Sequence, residues 1–120
     1  MEKNWVSWFE IPVTDFDRAR AFYEIIFEIE IHALDLGALK MGIFPGAQGG
    51  AICQGEVYHP GAFGPVIYLR AEPDLQLVLD RIPLAGGKIL QQKKHISDAM
   101  GFMALFNDSE GNRLALHSMK

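Results

Sequence analysis

The second half of this 120-residue chain repeats the pattern of apolar and turn-forming residues found in the first half. In both halves a strand-like segment is followed by a segment with apolar residues at helical spacing and then by three more strand-like segments. The offset between matching positions drifts only from 58 residues (Val13 to Ala71) to 62 (Gly49 to Gly111). The chain is therefore predicted to contain two βαβββ modules, one at about 5–56 and the other at about 64–119.

Local signals place the elements within each module. The strands of the first module are predicted at 6–13, 28–35, 39–44 and 51–55, and those of the second at 64–71, 88–95, 101–108 and 113–118. Thr14 or Asp15 offers an N-cap for the first helix. Pro73 suits the first turn of the second helix, which ends at Gly86 and Gly87. No linker is long enough to separate the modules, so we predict one α+β domain spanning residues 1–120.

Four of the predicted strands have one apolar face and a second face of mixed character. In the first strand Phe9, Ile11 and Val13 alternate with Trp8 and Glu10. The mixed faces of the other three strands carry Cys53, Tyr68, Arg70 and His117. Aromatic and apolar side chains beside a few charged groups are typical of a small-molecule pocket. We therefore predict that these six mixed-face residues line one cavity, opposite the face that the helices cover.

The composition excludes several classes of protein. The net charge is −4 and the calculated pI is about 5.5, and no basic stripe is present, so neither nucleic-acid binding nor a membrane surface is expected. The apolar runs are too short to span a bilayer, and residues 1–4 lack a signal-peptide hydrophobic region. A single cysteine, Cys53, rules out a disulfide framework within the chain. A cytoplasmic location is the resulting prediction.

Several motifs, taken in order within the doublet, carry a family resemblance. They are Ile11-Pro12-Val13-x-Asp15, Arg18-Ala19-x-Ala21-Phe22-Tyr23, Gly86-Gly87 and Asp108-x-Glu110-Gly111-Asn112-Arg113. Over nearly its whole length the chain resembles the vicinal oxygen chelate superfamily, which includes glyoxalase I, bleomycin-resistance proteins and extradiol dioxygenases. The resemblance implies that the two modules form one curved mixed sheet around a cleft. It also implies a homodimer, because members of this superfamily commonly pair.

Metal-dependent members of this superfamily take His, Gln or Glu ligands from one position in each of four strands. Carried over by motif, those positions hold Trp8, Cys53, Val66 and Ala115 in this chain. Three of these side chains cannot ligate a metal, and a single thiolate is not a site. The resemblance therefore implies the fold without the metal, and no cofactor is expected.

Two charged residues near these positions suggest a possible acid–base pair. Glu10 and His117 each lie two residues after one of the four positions, so strand alternation directs both toward the cleft. The alternative is that Glu10 is buried and paired with Arg70 or Arg113, while His117 lies near the rim. Trp8, Tyr68 and Arg70 are candidate ligand-binding residues. Cys53 is a further candidate ligand-binding residue. We interpret it as a small buried apolar side chain in the wall of the cavity rather than as a nucleophile.

Four functions remain open at this stage. The first is a non-catalytic, metal-independent binder of a small, partly aromatic or anionic molecule, which the missing metal ligands favour. The second is a metal-independent lyase or isomerase that uses Glu10 and His117. The third is an enzyme whose metal is held by a shifted set including those two residues, and two ligands rarely suffice. The fourth is a purely structural module, against which the mixed faces argue.

Overall fold

Both modules have the predicted order of elements in the computed structural model, which describes residues 5–46 and 49–120. The first module consists of β1 (Phe9–Pro12), α1 (Phe16–Phe27), β2 (His32–Asp35), β3 (Lys40–Ile43) and β4 (Gly50–Gln54). The second consists of β5 (Tyr68–Arg70), α2 (Leu75–Leu79), α3 (Ile82–Ala85), β6 (Lys88–Ser97), β7 (Gly101–Asn107) and β8 (Arg113–Ser118). Residues 1–4, for which the sequence predicts no signal-peptide hydrophobic region, lie outside the described residues.

Each module builds a four-stranded mixed sheet, with strand order β1-β4-β3-β2 in the first and β5-β8-β7-β6 in the second. In both sheets the first strand runs parallel to the last, and the remaining neighbours are antiparallel. The predicted α+β class and its two repeated modules are confirmed. Within the described residues no strand ladder joins β1 to β5, so the predicted sheet is divided into two halves along this seam.

The strand β5, which borders this seam, is shorter than the sequence predicts. The sequence predicts a strand from residue 64, but Gly64 adopts φ +102° and Pro65 has no N–H to donate to a neighbouring strand. Pairing begins only when Ala115 donates its backbone N–H to the carbonyl of Ile67 at 3.0 Å. The regular strand is therefore limited to Tyr68–Arg70.

Helix α1 follows the local signals of its sequence. Asp15 is the N-cap, and its carboxylate accepts a hydrogen bond of 3.1 Å from the backbone N–H of Arg18. The helix ends at Glu28, which adopts the left-handed conformation and donates its N–H to the carbonyl of Glu24. One face is buried, through Phe16, Ala19, Phe22, Tyr23 and Ile26.

The second predicted helix is interrupted. Pro83 lies in the first turn of α3 and cannot donate to a preceding carbonyl, so the helical region divides into α2 and α3. Asp74 rather than Pro73 marks the start of α2, because its carboxylate accepts from the N–H of Gln76 at 2.9 Å. The predicted end is confirmed at Gly86, whose φ is +106°. None of the described helices has the length and apolar character needed to cross a membrane.

The apolar strand faces and the helices form a core to which both modules contribute. Ile11 of β1 is 1% exposed and Leu69 of β5 is 8% exposed, as the alternation predicts. Phe9 and Ile67 pack at the margin of the same core. The alternating residues Trp8, Glu10, Tyr68 and Arg70 are exposed and lie outside this core.

A loop of the second module is tied to the first module by buried polar groups. The Tyr23 hydroxyl donates to Asp108 Oδ2 at 2.7 Å. Asn112 Nδ2 donates to the carbonyl of Pro12 at 2.7 Å, and its Oδ1 accepts from the N–H of Gly61 at 3.0 Å. The motif at residues 108–113 therefore has a structural role, because its buried side chains hold the two modules in place relative to each other.

Candidate functional site

A cavity of about 880 Å³, here called the first cavity, lies between the two modules where the start of β1 and the end of β5 both contribute to its wall. Three predicted ligand-binding residues line it, namely Trp8, Tyr68 and Arg70. Trp8 and Tyr68 are 42% and 53% exposed, so both have free aromatic surface. Apolar side chains from α1 and α2, Phe27 and Leu77, complete the wall. The helices therefore form part of this cavity, and the prediction that it lies opposite the face that they cover is wrong. The two aromatic rings offer surface on which a ligand can stack, and Arg70 offers a positive charge.

Arg70 is available to a ligand, whereas the neighbouring charges are engaged. Arg81 Nη2 contacts Glu28 Oε1 at 3.2 Å, and Lys93 Nζ contacts Asp74 Oδ1 at 2.9 Å. The hydrogen bond from Lys93 is the main reason that the pKa of Asp74 is lowered. Among the described residues Arg70 forms neither an ion pair nor a side-chain hydrogen bond. A planar guanidinium in this state can bind a carboxylate or phosphate through two hydrogen bonds.

Glu10 has partners that the sequence did not reveal. Its Oε1 accepts a hydrogen bond of 2.8 Å from the Tyr58 hydroxyl, and its Oε2 accepts one of 3.3 Å from the Trp8 indole nitrogen. The alternative in which Glu10 is buried and paired with Arg70 or Arg113 is wrong, since the residue is exposed and neither contact occurs in the described structure. Tyr58 lies in an irregular loop, where no periodicity indicates its direction.

The hydrogen bond to Glu10 raises the pKa of Tyr58 to about 12, and desolvation contributes to the same shift. Cys53 lies beside this pair and is fully buried. Burial is the main cause that raises the pKa of its thiol to about 12, and the negative charge of Glu10 adds to the shift. The thiol is therefore protonated at neutral pH and is a poor nucleophile in this state.

His117 is half-buried on β8, in register with Arg70 on β5 and Met103 on β7. Its Nε2 lies at hydrogen-bond distance from the carbonyl oxygen of Met100. A carbonyl can only accept, so Nε2 carries the proton in this contact. No hydrogen bond or ion pair joins His117 to Glu10 in the described part of the chain.

The six mixed-face residues do not share one cavity. Trp8, Tyr68 and Arg70 line the first cavity, whereas Glu10 lines a second one of about 280 Å³. Cys53 and His117 line neither of these two cavities. The expectation of a single cavity is wrong because alternation fixes only the face of a sheet. The Glu10 and Tyr58 side chains lie next to Cys53. The first cavity lies where the two sheets are not joined by a ladder.

The four positions at which metal-dependent relatives hold ligands do not suit a metal in this chain. Trp8 is a donor-only indole, and neither Val66 nor the fully buried Ala115 has a side-chain donor atom. The thiol of Cys53 is the single potential ligand among them. Across residues 5–46 and 49–120 no group of three or more His, Cys, Asp or Glu side chains is arranged to hold a metal ion. The residues present therefore do not fit the metal that the fold implies.

Sequence comparison finds no matching family model, and no curated protein matches. Solved structures do match. A glyoxalase/bleomycin resistance protein from Albidiferax ferrireducens T118 is 13% identical over 94% of this chain and 97% of its own, with a TM-score of 0.71. A glyoxalase I mutant from Zea mays is 17% identical over 93% of this chain and 45% of its own, with a TM-score of 0.72.

A third similar structure is a mutant of the fosfomycin resistance protein FosX from Listeria monocytogenes, complexed with Mn(II) and a dihydroxypropylphosphonic acid. It is 17% identical over 99% of this chain and 93% of its own, with a TM-score of 0.69. At these identities the structural similarity establishes the fold only. The chemistry of the site has to be inferred from the side chains that line it. The chain therefore has the fold of the glyoxalase/bleomycin resistance proteins, which is the fold that its motifs and its repeat predicted.

Proposed function

We propose that this protein binds a small, partly aromatic or anionic molecule in the first cavity and does so without a metal. The observation that carries the proposal is that Trp8, Tyr68 and Arg70 line one cavity between the modules. Aromatic faces bury apolar ligand surface and favour offset stacking, while the guanidinium fixes an acidic group. Pockets of this kind, with apolar walls and a few polar groups, are typical of small-molecule sites.

Metal independence is supported by the side chains at the four ligand-equivalent positions. Replacing His, Gln or Glu by tryptophan, valine and alanine removes the donor atoms, and one protonated thiol does not replace them. The glyoxalase I and FosX likeness therefore supports a shared scaffold rather than a shared metal reaction.

Acid–base catalysis by Glu10 and His117 is the alternative, and the contacts favour it less. Glu10 hydrogen-bonds Tyr58 and Trp8, and His117 contacts the carbonyl of Met100. Were the protein such an enzyme, Glu10→Gln would abolish turnover while nearly preserving binding, since the amide keeps the shape of the carboxylate but cannot accept a proton in the same way.

We propose in addition that the protein is a homodimer. Support comes from large apolar side chains that remain exposed in the single chain, including Leu34 and Leu36 near the outer strand β2 and Leu84 in α3. All four residues of β2 are exposed, and one edge of this strand is unpaired within the sheet. An unpaired strand edge with exposed apolar side chains is a surface on which a second copy of the chain can pair.

A ligand screen by thermal shift tests the proposed function directly. Molecules that bind the folded state alone raise the melting temperature, and the shift grows as the ligand concentration rises above the Kd. A library of aromatic acids, matched neutral aromatic amides and aliphatic acids would separate the contribution of the ring from that of the charge. The proposal expects aromatic acids to give the largest shifts. It is contradicted if no member of the library stabilises the protein.

A further inference from the structure

The second cavity carries two opposite charges that are not paired with each other. It has a volume of about 280 Å³, and both Glu10 and Arg113 line it. His59 lines it too, and the rest of the wall is largely apolar, with Ile11, Pro12, Phe63, Pro65, Ile67 and Leu114. Arg70, Trp8 and Tyr68 line the first cavity and not this one, so the two cavities can be tested separately.

On the acidic side, the Glu10 carboxylate has only neutral donors as partners. Tyr58 donates to Oε1 at 2.8 Å and Trp8 donates to Oε2 at 3.3 Å. No described Lys, Arg or His nitrogen lies within ion-pair distance of this carboxylate. An ionised carboxylate has about four acceptor positions, so two bonds leave capacity for a cationic donor. The two existing bonds hold the group in one orientation.

On the basic side, the Arg113 guanidinium is only partly satisfied. Its Nη2 donates to the carbonyl of Gly64 at 2.6 Å. Its Nε is buried and has no hydrogen-bond partner, although Asn107 is the register partner of Arg113 on β7. Because Nε is buried, a ligand in the cavity would contact the guanidinium through its terminal nitrogens. Arg113 makes no ion pair with any described carboxylate.

We propose that the second cavity binds a small zwitterion that carries a primary ammonium group and a carboxylate. The ammonium would lie against Glu10 and the carboxylate against Arg113, so each protein charge receives the opposite ligand charge. The apolar wall favours an aliphatic body between or beside the two charged groups, since its burial is favourable and leaves no polar group unpaired. His59 and Phe63, both exposed in the loop, line the cavity on that side.

A zwitterion is favoured over a singly charged ligand for an electrostatic reason. An amine alone would neutralise Glu10 and leave the guanidinium without an anion, and a carboxylate alone would do the reverse. Removing one partner of a charge pair leaves the other uncompensated, and this cost grows as the cavity loses water. A ligand with both groups avoids it.

Titration calorimetry tests the proposal with L-valine and γ-aminobutyrate as probes. Isobutylamine and isovalerate are the matched single-charge controls, since each keeps an aliphatic body and one of the two charges. We expect at least one zwitterion to bind, and both single-charge analogues to bind at least about tenfold more weakly. Glu10→Gln, which preserves shape, should raise the Kd about 10- to 100-fold, and Arg113→Lys should raise it by a smaller factor.

Glu30→Gln is the matched control for the charge change, because Glu30 is exposed and lines neither of the two cavities. It should leave the Kd of the zwitterion unchanged. Melting curves establish that each variant is folded. If the Arg113 variant is unfolded, the Kd of the zwitterion for Glu10→Gln is sufficient to test the proposal. The proposal is overturned if neither zwitterion binds, if the single-charge analogues bind equally well, or if Glu10→Gln binds like the parent protein.

Discussion

The carboxylate of Glu110 accepts a hydrogen bond of 2.7 Å from Nε of Arg18, which joins a loop of the second module to helix α1 of the first. The same carboxylate accepts from the backbone N–H groups of Thr14 and Asp15, at 2.9 and 2.8 Å. The Glu110 side chain is fully buried, whereas Arg18 is about half exposed. Glu110 thus satisfies N–H groups at the start of α1 and also places a negative charge there.

We expect Glu110→Ala to destabilise the fold by about 1–3 kcal/mol, because two backbone N–H groups and the Arg18 guanidinium all lose their acceptor. Arg18→Ala should cost clearly less, since the exposed side of this pair is screened by water and both backbone contacts of Glu110 remain. Chemical denaturation monitored by circular dichroism measures both values. If the two variants lost equal stability, the contribution of Glu110 would come mainly from Arg18 rather than from the backbone N–H groups of Thr14 and Asp15.

The same carboxylate predicts a loss of stability in acid. Burial raises the pKa of Glu110, but the hydrogen bonds from Arg18, Asp15 and Thr14 lower it more, to about 2 from an ordinary value of 4.5. A depressed pKa in the folded state stabilises the protein above the unfolded pKa. That stability, about 3 kcal/mol, is lost as the pH falls from about 4.5 to about 2. Denaturation series at stepped pH should show this loss, and Glu110→Gln should reduce it.

The sequence predicted those features that depend on local or periodic signals. The cap at Asp15, the end of a helix at Gly86 and the inward direction of Ile11 each follow from a residue and its near neighbours. The interruption at Pro83 also had a local cause, which the helical spacing of the apolar residues on either side obscured. Element order and fold were therefore accessible from the chain alone.

The candidate site was less accessible because it depends on contacts between distant segments. Tyr58 approaches Glu10 from a loop 48 residues away, and no repeat or period reports that contact. Alternation places Glu10 and Trp8 on one face but does not reveal that they line different cavities. The division arises because no ladder joins β1 to β5 in the described structure, which the pattern of either strand cannot show.

Metal content gives a direct test of the ligand-equivalent positions. We expect protein purified without an affinity tag to contain well below one divalent ion per chain by elemental analysis, because Val66 and Ala115 supply no side-chain ligand. Addition of a chelator should leave the melting temperature unchanged. Stoichiometric zinc, nickel or iron that is lost in Glu10→Gln or His117→Ala would instead establish a shifted metal site.

Sedimentation tests the proposed homodimer. A chain of 13.4 kDa should sediment as a species of twice that mass at micromolar concentration. Replacing Leu34 and Leu36 together by lysine should shift the equilibrium toward the monomer if the β2 side of the sheet is the interface. Leu84→Lys is the parallel test for α3, where the side chain is 92% exposed. A parent protein that remains monomeric at these concentrations would rule out the dimer.

Substitutions at two residues of the first cavity separate its aromatic and its charged contributions to ligand binding. Trp8→Ala should weaken any bound aromatic ligand by roughly 1–3 kcal/mol, because it removes buried stacking area, and Trp8→Phe should restore part of that loss. Arg70→Ala should weaken acidic ligands more than neutral ligands of the same shape. Calorimetry with an aromatic acid and its amide, taken from the thermal-shift screen, measures both effects. A ligand that is indifferent to Trp8 and Arg70 alike would place its binding site outside this cavity.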